Sequence, residues 1–264
     1  MLGRKKSIKN SDWKNMHENV SKIISKAHIE ELEARTIKDI SEKTQGKKSA
    51  YAWSGGKDSI VLGEICKRAG IKDSMLAICN LEYPEFINWI EKNKPEGLEI
   101  INTGQDIAWL NQNLHMLFPE DSRIHGNWYK IVQHKAQRRY YKDKELDIII
   151  LGRRKKDGNY VGKGDNIYTS KGVTRYSPLS EWSHEEISAY IHYNNLEIPT
   201  IYEWENGFVQ GTHPWPARNR NGSVMETWNE VYQIDKNIVG NASNYIESAK
   251  QFIESRKQFM EGDK

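Results

Sequence analysis

The sequence predicts an α/β protein: a doubly wound, mainly parallel sheet with flanking helices and a helical C-terminal extension. Short β-prone runs alternate with helical patterns between residues 49 and 151, and that alternation builds parallel strands joined by right-handed crossovers. One run, Asp147-Ile148-Ile149-Ile150-Leu151, is continuously apolar, as a strand buried on both faces requires. A small-residue loop, Ser54-Gly55-Gly56-Lys57-Asp58-Ser59, separates the first run from a helical pattern.

In chain order, about Asn19 to Ser41 sets Ile23, Ile24, Ala27, Leu32, Ala34, Ile37 and Ile40 among charges at helical spacing. Ser49 to Trp53 reads as the first strand. After the loop, Ile60, Val61, Leu62, Ile65, Cys66 and Ala69 mark a helix that Gly70 stops. Ser74 to Cys79 is the second strand, Pro84 opens a helix through Phe86, Ile87, Trp89 and Ile90, and Leu98 to Ile101 is the third strand. Helices are predicted over Asp106 to Leu117 and Trp128 to Lys144, ahead of the fourth strand at Asp147 to Leu151. At Trp182-Ser183-His184-Glu185-Glu186-Ile187, Ser183 and Glu186 make a capping box, and Trp182 with Ile187 a hydrophobic staple. That pattern accounts for His184 and both glutamates without any chemistry. Ala242 to Met260 carries Tyr245, Ile246, Ala249, Phe252, Ile253 and Phe259 at the spacing of a packing helix. The expected organisation is an N-terminal helical segment over 1–45, an α/β domain over 46–218 and a helical extension over 219–264.

With 264 residues the chain can bury a substantial core. A net charge of +3 makes no global case for nucleic acid. No run of about 18 apolar residues is present, so no membrane partner is expected. The basic start, Met1-Leu2-Gly3-Arg4-Lys5-Lys6, has no apolar h-region behind it. Two cysteines, Cys66 and Cys79, make no disulfide framework. Together these features predict a cytoplasmic protein. The nine tryptophans are read either as core or as stacking platforms.

The loop after the first strand has the make-up of a phosphate cradle. Glycines let the backbone approach oxyanions, and N–H groups at the following helix N-terminus point at them with a favourable dipole. Ser54 and Ser59 add hydroxyl donors. Bare phosphate would repel Asp58, so a divalent cation, Mg²⁺, is expected between carboxylate and phosphates. The spacing Gly-x4-Gly-Lys-Ser/Thr of the commoner ATP loop is absent. In a parallel sheet, ligands sit at the carboxyl ends of the strands. This loop, Asn80 to Glu85 and Gly152 to Arg154 are therefore expected to converge.

Ser-Gly-Gly-Lys-Asp-Ser in this setting resembles the PP-loop of the ATP pyrophosphatases, the adenine nucleotide alpha-hydrolase superfamily, which cleave ATP between its α- and β-phosphates. Asn80-Leu81-Glu82-Tyr83-Pro84-Glu85, Ile150-Leu151-Gly152-Arg153-Arg154 and Tyr176-Ser177-Pro178-Leu179-Ser180-Glu181-Trp182 resemble, in order, three segments of the PAPS reductase-like branch. The likeness covers roughly 48–218. Two features depart from it. The branch's reductases use a cysteine in a C-terminal Glu-Cys-Gly motif, whereas this chain has no cysteine after Cys79. Cluster-binding relatives carry Gly-Cys-x-x-Cys where this chain reads Gly211-Thr212-His213-Pro214-Trp215. Two cysteines cannot supply the four thiolates of an ordinary cluster, so no iron–sulfur cofactor is expected.

The resemblance implies ATP and Mg²⁺ as cofactors. Ser54, Gly55, Gly56, Lys57, Asp58, Ser59, Glu82 and Gly152 would bind the nucleotide, and Asp58 the metal. Lys57, Asp58, Arg153 and Arg154 would be catalytic, the arginines as guanidinium forks for phosphate. The implied reaction is adenylylation of an acceptor with release of pyrophosphate, serving sulfur transfer. The acceptor stays open between nucleic acid, as in DNA phosphorothioation, and a sulfur-carrier protein. A homo-oligomer is compatible with this reading. Arg153 to Arg175, with Lys155, Lys156, Lys163, Lys171, Tyr160 and Tyr168, is either a nucleic-acid surface or a mobile loop. Cys79 is read as buried packing rather than a sulfur relay, and Trp215 or Arg218 as lining for an acceptor pocket. The competing readings are an FAD synthetase-like nucleotidyltransferase and a non-catalytic nucleotide- or nucleic-acid-binding protein.

Overall fold

The computed structural model describes residues 8–164, 166–220 and 222–262, with side chains as far as residue 258. The basic stretch from Met1 to Lys6 and the side chain of Phe259 lie outside these. The elements are α1 (Asn10–Glu18), α2 (Lys26–Thr44), β1 (Ser49–Ala52), α3 (Lys57–Arg68), β2 (Ser74–Ile78), α4 (Pro84–Asn93) and β3 (Leu98–Asn102). They continue as α5 (Ile107–Gln112), α6 (Ser122–Trp128), α7 (Lys135–Asp143), β4 (Ile148–Ile150), β5 (Ile167–Ser170), β6 (Val173–Tyr176) and α8 (His184–Tyr193). The last four are α9 (Gly207–Gln210), α10 (Val224–Ile234), α11 (Lys236–Ala242) and α12 (Glu247–Gly262).

The strands form one six-stranded sheet in the order β3-β2-β1-β4-β6-β5. β1 pairs in parallel with β2 and β4, and β4 in parallel with β6. β4 is the apolar run of the sequence: Ile148, Ile149 and Ile150 are all at 0% exposure, as two-sided cover demands. The expected doubly wound, mainly parallel α/β fold is present. β5 and β6 correct the reading of Arg153 to Arg175 as a loop. They form an antiparallel hairpin in which Ser170 faces Val173 across Lys171-Gly172. Both turn residues have positive φ, 53° and 78°, the backbone a two-residue type I′ turn needs.

Helix boundaries also differ from expectation. The pattern over Asn19 to Ser41 is a 3₁₀ turn at Val20–Lys22 and then α2, whose N-cap Ser25 accepts a hydrogen bond from His28 N at 3.3 Å. The helix expected from Trp128 begins at Ser122 and reaches α7 through a π-helical turn, Tyr129–His134. The helix expected from Ala242 begins at Glu247 as α12, and Ala242 instead closes α11. α8 starts with the predicted capping box on Ser183 and Glu186.

The chain forms two compact units, 1–76 with 88–101 and 137–212, and 77–87 with 102–136 and 213–264. In the first unit, α3 packs against α2 and α8, with Val61, Leu62 and Ile65 at 0% exposure. In the second unit, Trp228 is the hub. Phe118 meets it edge-on at 4.7 Å, Trp215 lies at 5.7 Å, and its indole donates to Ser248 Oγ at 3.0 Å. Trp13, Trp53, Trp128, Trp182, Trp215 and Trp228 are buried, so these six are core. Among the described residues, no helix is long and apolar enough to cross a membrane.

Candidate functional site

β1 ends at Ala52, and the chain turns at once into the loop that feeds α3. Gly55 has φ +66°, the left-handed region that glycine enters without a Cβ penalty. Gly56 is the α3 N-cap. A Cβ there would stand 3.2 Å from Thr212 Oγ1, 3.3 Å from Ser54 Oγ and 3.4 Å from the Tyr202 hydroxyl. Ser59 closes the loop: its Oγ donates to Gly56 O at 2.8 Å and accepts from Ser54 N at 3.0 Å. Thr212 Oγ1 donates to Ser54 O at 3.2 Å, and Lys57 N donates to the Tyr202 hydroxyl at 2.8 Å. Gly152, after the neighbouring β4, lies against the start of α3; a Cβ there would sit 3.4 Å from Asp58 O. The sheet order, β4 beside β1, brings Gly152 to the loop.

The charged residues at this end of α3 form one network. Asp58, with a side chain 25% exposed, receives Lys57 Nζ at 2.9 Å and Arg154 Nε at 2.9 Å. The Arg154 contact is an ion pair out of line with the N–H. Arg154 is fully buried. Its NH2 group meets Asp157 Oδ2 at 3.0 Å and His184 Nδ1 at 3.0 Å, and NH1 donates to Trp182 O at 3.3 Å. An imidazole nitrogen facing a guanidinium must accept, which fixes the His184 proton on Nε2. Lys57 Nζ lies over the Trp13 ring at 5.0 Å, and Trp13 takes the edge of His184 at 4.5 Å. Lys57, Asp58 and Arg154 are thus brought together, with Arg154 spent on protein partners.

Arg153 takes the opposite course. Half-buried, it donates from NH1 to the Tyr168 hydroxyl on β5 at 2.9 Å. Arg175 of β6 stacks near both Tyr141 (5.5 Å) and Tyr168 (5.8 Å), and Tyr160, 58% exposed, meets Tyr168 edge-on.

Glu82 belongs to the second unit. Its Oε1 accepts from Cys79 N at 3.2 Å and lies 3.7 Å from Cys79 Sγ. Burial pushes this carboxyl up to about 8, against the opposing pull of the Cys79 backbone and thiol hydrogen bonds. Burial also raises the Cys79 and Cys66 thiols, keeping both in the unreactive protonated form. Glu85 is an exposed acid in the first turn of α4. Trp215 and Arg218 are core residues of this unit; Arg218 Nε pairs with Glu230 Oε2 at 3.0 Å.

Sequence reasoning missed Trp13, Asp157 and Tyr202, and gave His184 a capping position only. Each is remote in sequence from the loop or sits in a segment without periodic signal. Asp157, three residues after Arg154, is the one a spacing argument had within reach.

A profile of the phosphoadenosine phosphosulfate reductase domain matches residues 48–210, more than half of the chain. No curated protein matches it. Among solved structures, the phosphoadenylyl-sulfate (PAPS) reductase from Candida auris, in a phosphate complex, aligns with TM-score 0.50 and 17% identity over 68% of this chain and 92% of that one. The U34-tRNA thiolase NcsA from Methanococcus maripaludis, solved with its 4Fe-4S cluster, gives 0.45 and 16% over 87% and 81%. The NH3-dependent NAD synthetase from Campylobacter jejuni gives 0.46 and 13% over 85% and 96%. At such identities the likeness is one of fold. With the family profile, the Ser54–Ser59 loop and the parallel sheet all in agreement, the chain belongs to the phosphoadenosine phosphosulfate reductase domain family of the PP-loop superfamily.

Proposed function

We propose that this chain cleaves ATP between the α- and β-phosphates and adenylylates an acceptor. An acceptor oxygen attacks the α-phosphorus, the bond to the bridging oxygen of the β-phosphate breaks, and pyrophosphate leaves with that electron pair. A sulfur nucleophile then displaces AMP. The observation that carries this reading is the Ser54–Ser59 loop, a glycine-shaped turn at the N-terminus of a 12-residue helix.

In this reading Ser54, Gly55, Gly56 and Ser59 cradle the pyrophosphate portion. Lys57 supplies positive charge at its edge, and Arg153 offers the guanidinium for developing charge on the transferred group. Arg154 is a positioning residue that holds Asp58. Gly152 leaves room beside the loop. Asp58 suits Mg²⁺, which takes one or two protein carboxylates and draws its remaining ligands from phosphates and water. Among the described residues no group of three potential ligands surrounds it, in keeping with an ion carried in by the nucleotide. Bound there, Mg²⁺ would neutralise phosphate charge. The α/β domain over 46–218 would hold this chemistry between the 1–45 and 219–264 segments.

Sulfur transfer is the downstream chemistry we favour, with nucleic acid as acceptor ahead of a carrier protein. Arg153, exposed Lys156, Lys163 and Lys171, and the exposed ring of Tyr160 support that choice.

The deciding experiment is product analysis with Mg²⁺-ATP and the purified chain, with Asp58→Ala as control. AMP plus pyrophosphate, lost in the variant, is expected; ADP plus phosphate would end the proposal. FAD formed from FMN and ATP would redirect the acceptor to a flavin nucleotide.

A further inference from the structure

The first backbone N–H of α3, at Lys57, is the group a phosphate cradle would aim at its ligand. Here it donates to the Tyr202 hydroxyl at 2.8 Å. Tyr202 is 4% exposed, and its placement is over-determined. Its ring tilts onto Phe208 at 4.9 Å, and Phe208 stacks on Trp13 at 5.8 Å with planes 4° apart. The chain just beyond it turns tightly: Gly207 N donates to Trp204 O at 3.0 Å, and Asn206 has φ +58°. A Cβ on Gly207 would stand 2.0 Å from Ile201 O, so only glycine permits this turn. The phenol is therefore delivered to the loop by a rigid device.

A phenol has one proton to give and lone pairs to accept with. The Lys57 bond uses an acceptor site, and among the described residues it is the one hydrogen bond this hydroxyl makes. The hydroxyl proton remains available. It lies beside Gly56, where the hydroxyl and Thr212 Oγ1 flank the space a Cβ would fill. Accepting from an N–H at a helix N-terminus polarises the O–H and strengthens it as a donor. Burial raises the phenol well above its ordinary range, aided by Asp58 and Asp157, so it stays protonated wherever a nucleotide would be phosphorylated and anionic.

We infer that Tyr202 is a ligand-binding residue of the loop, donating its hydroxyl proton to the pyrophosphate portion of the bound nucleotide while it accepts from Lys57 N. This rests on the nucleotide reading above and deepens it: the cradle's donor set includes a side chain 145 residues away in sequence, not the loop alone. Donation to a charged oxygen is what gives such a hydroxyl its value, since hydrogen bonds to charged groups exceed neutral ones.

The test is calorimetric titration of the full chain and of Tyr202→Phe with Mg²⁺-pyrophosphate. The variant keeps the ring on Phe208 and loses only the hydroxyl. Weakening by about 10- to 100-fold is expected. A merely structural hydroxyl would lower the melting temperature of the free protein and leave pyrophosphate affinity within about 2-fold, which would overturn the inference while the nucleotide reading stands. A wild-type chain that binds neither pyrophosphate nor ATP would overturn both. If Tyr202→Phe does not fold, 3-fluorotyrosine placed at 202 gives the answer. Its ¹⁹F resonance is expected to shift on pyrophosphate addition, and an unmoved resonance would overturn the inference.

Discussion

Arg154 in the first unit and Arg218 in the second are both buried and both paired with carboxylates, yet their surroundings differ in kind. Arg154 has no exposure and meets two acids, Asp58 at 25% and Asp157 at 11% exposure. Arg218, at 3%, pairs with Glu230 at 9%, and burial of the neighbouring Tyr83 raises that phenol to about 12 although Arg218 pulls it down. The second cluster is closed on itself. The first leaves one carboxylate edge to solvent beside the Ser54–Ser59 loop. A buried ion pair is weak evidence for stability, because desolvation offsets much of the attraction. The useful distinction is whether a member of the pair keeps surface in solvent, and Asp58 does.

The strongest challenge to that contrast is Arg154→Met. It would leave Asp58 and Asp157 without their shared cation and should cost about 3–5 kcal/mol, the usual penalty for an uncompensated buried charge. Urea unfolding measures it. Any folded fraction should have lost most Mg²⁺-ATP turnover, because Asp58 keeps Lys57 but loses its buried guanidinium partner. Arg218→Met strands Glu230, so its cost should sit near the lower end, about 3 kcal/mol. Pyrophosphate affinity of the folded variant should stay within about 2-fold of wild type. Equal loss of affinity in both variants would erase the difference between an open and a closed cluster.

Glu82 sharpens the comparison from the second unit. Its folded value of about 8 stands above the ordinary carboxyl value of 4.5, so between these limits the folded state binds more protons than the unfolded one. The stability it contributes is complete below about pH 4.5 and is lost as pH rises through 8. Melting temperatures at pH 5 and 8.5 should therefore diverge in the wild type and draw together in Glu82→Gln.

The sheet was legible because its evidence is local. Ile148-Ile149-Ile150 could only be a two-sided strand, and a Gly-Gly turn between strand and helix could only cradle or cap. The hairpin at Lys171-Gly172 was not seen, since its strands alternate weakly and its turn carries lysine where asparagine or aspartate would signal it. The network around Asp58 was half legible. Its loop members are contiguous, but Trp13, His184 and Tyr202 reach it from three other segments, and no periodicity in one sequence encodes such a meeting. Gly55→Ala tests the legible half: forcing a Cβ into φ +66° should cost about 1–2 kcal/mol and weaken pyrophosphate binding with it.

Arg153 and Arg154 carry the contrast down to adjacent residues. The sequence offered them as an equivalent pair of phosphate forks. Adjacent residues in extended backbone point opposite ways. Beyond β4, Arg154 is extended (φ −129°, ψ 147°) and turns its guanidinium inward to Asp58, while Arg153 reaches Tyr168 and keeps part of its surface in solvent. Arg153→Ala should therefore cost about 1 kcal/mol or less in urea unfolding, the worth of one partly exposed hydrogen bond. On the proposed role, in which its charge serves the transferred group and not the leaving one, turnover should fall far more than stability, with pyrophosphate affinity almost unchanged. Arg153→Lys should recover only part of the rate, since an ammonium lacks the planar fork. Loss of pyrophosphate affinity in step with rate would instead place Arg153 on the leaving group, and the division of labour between the two arginines would have to be redrawn.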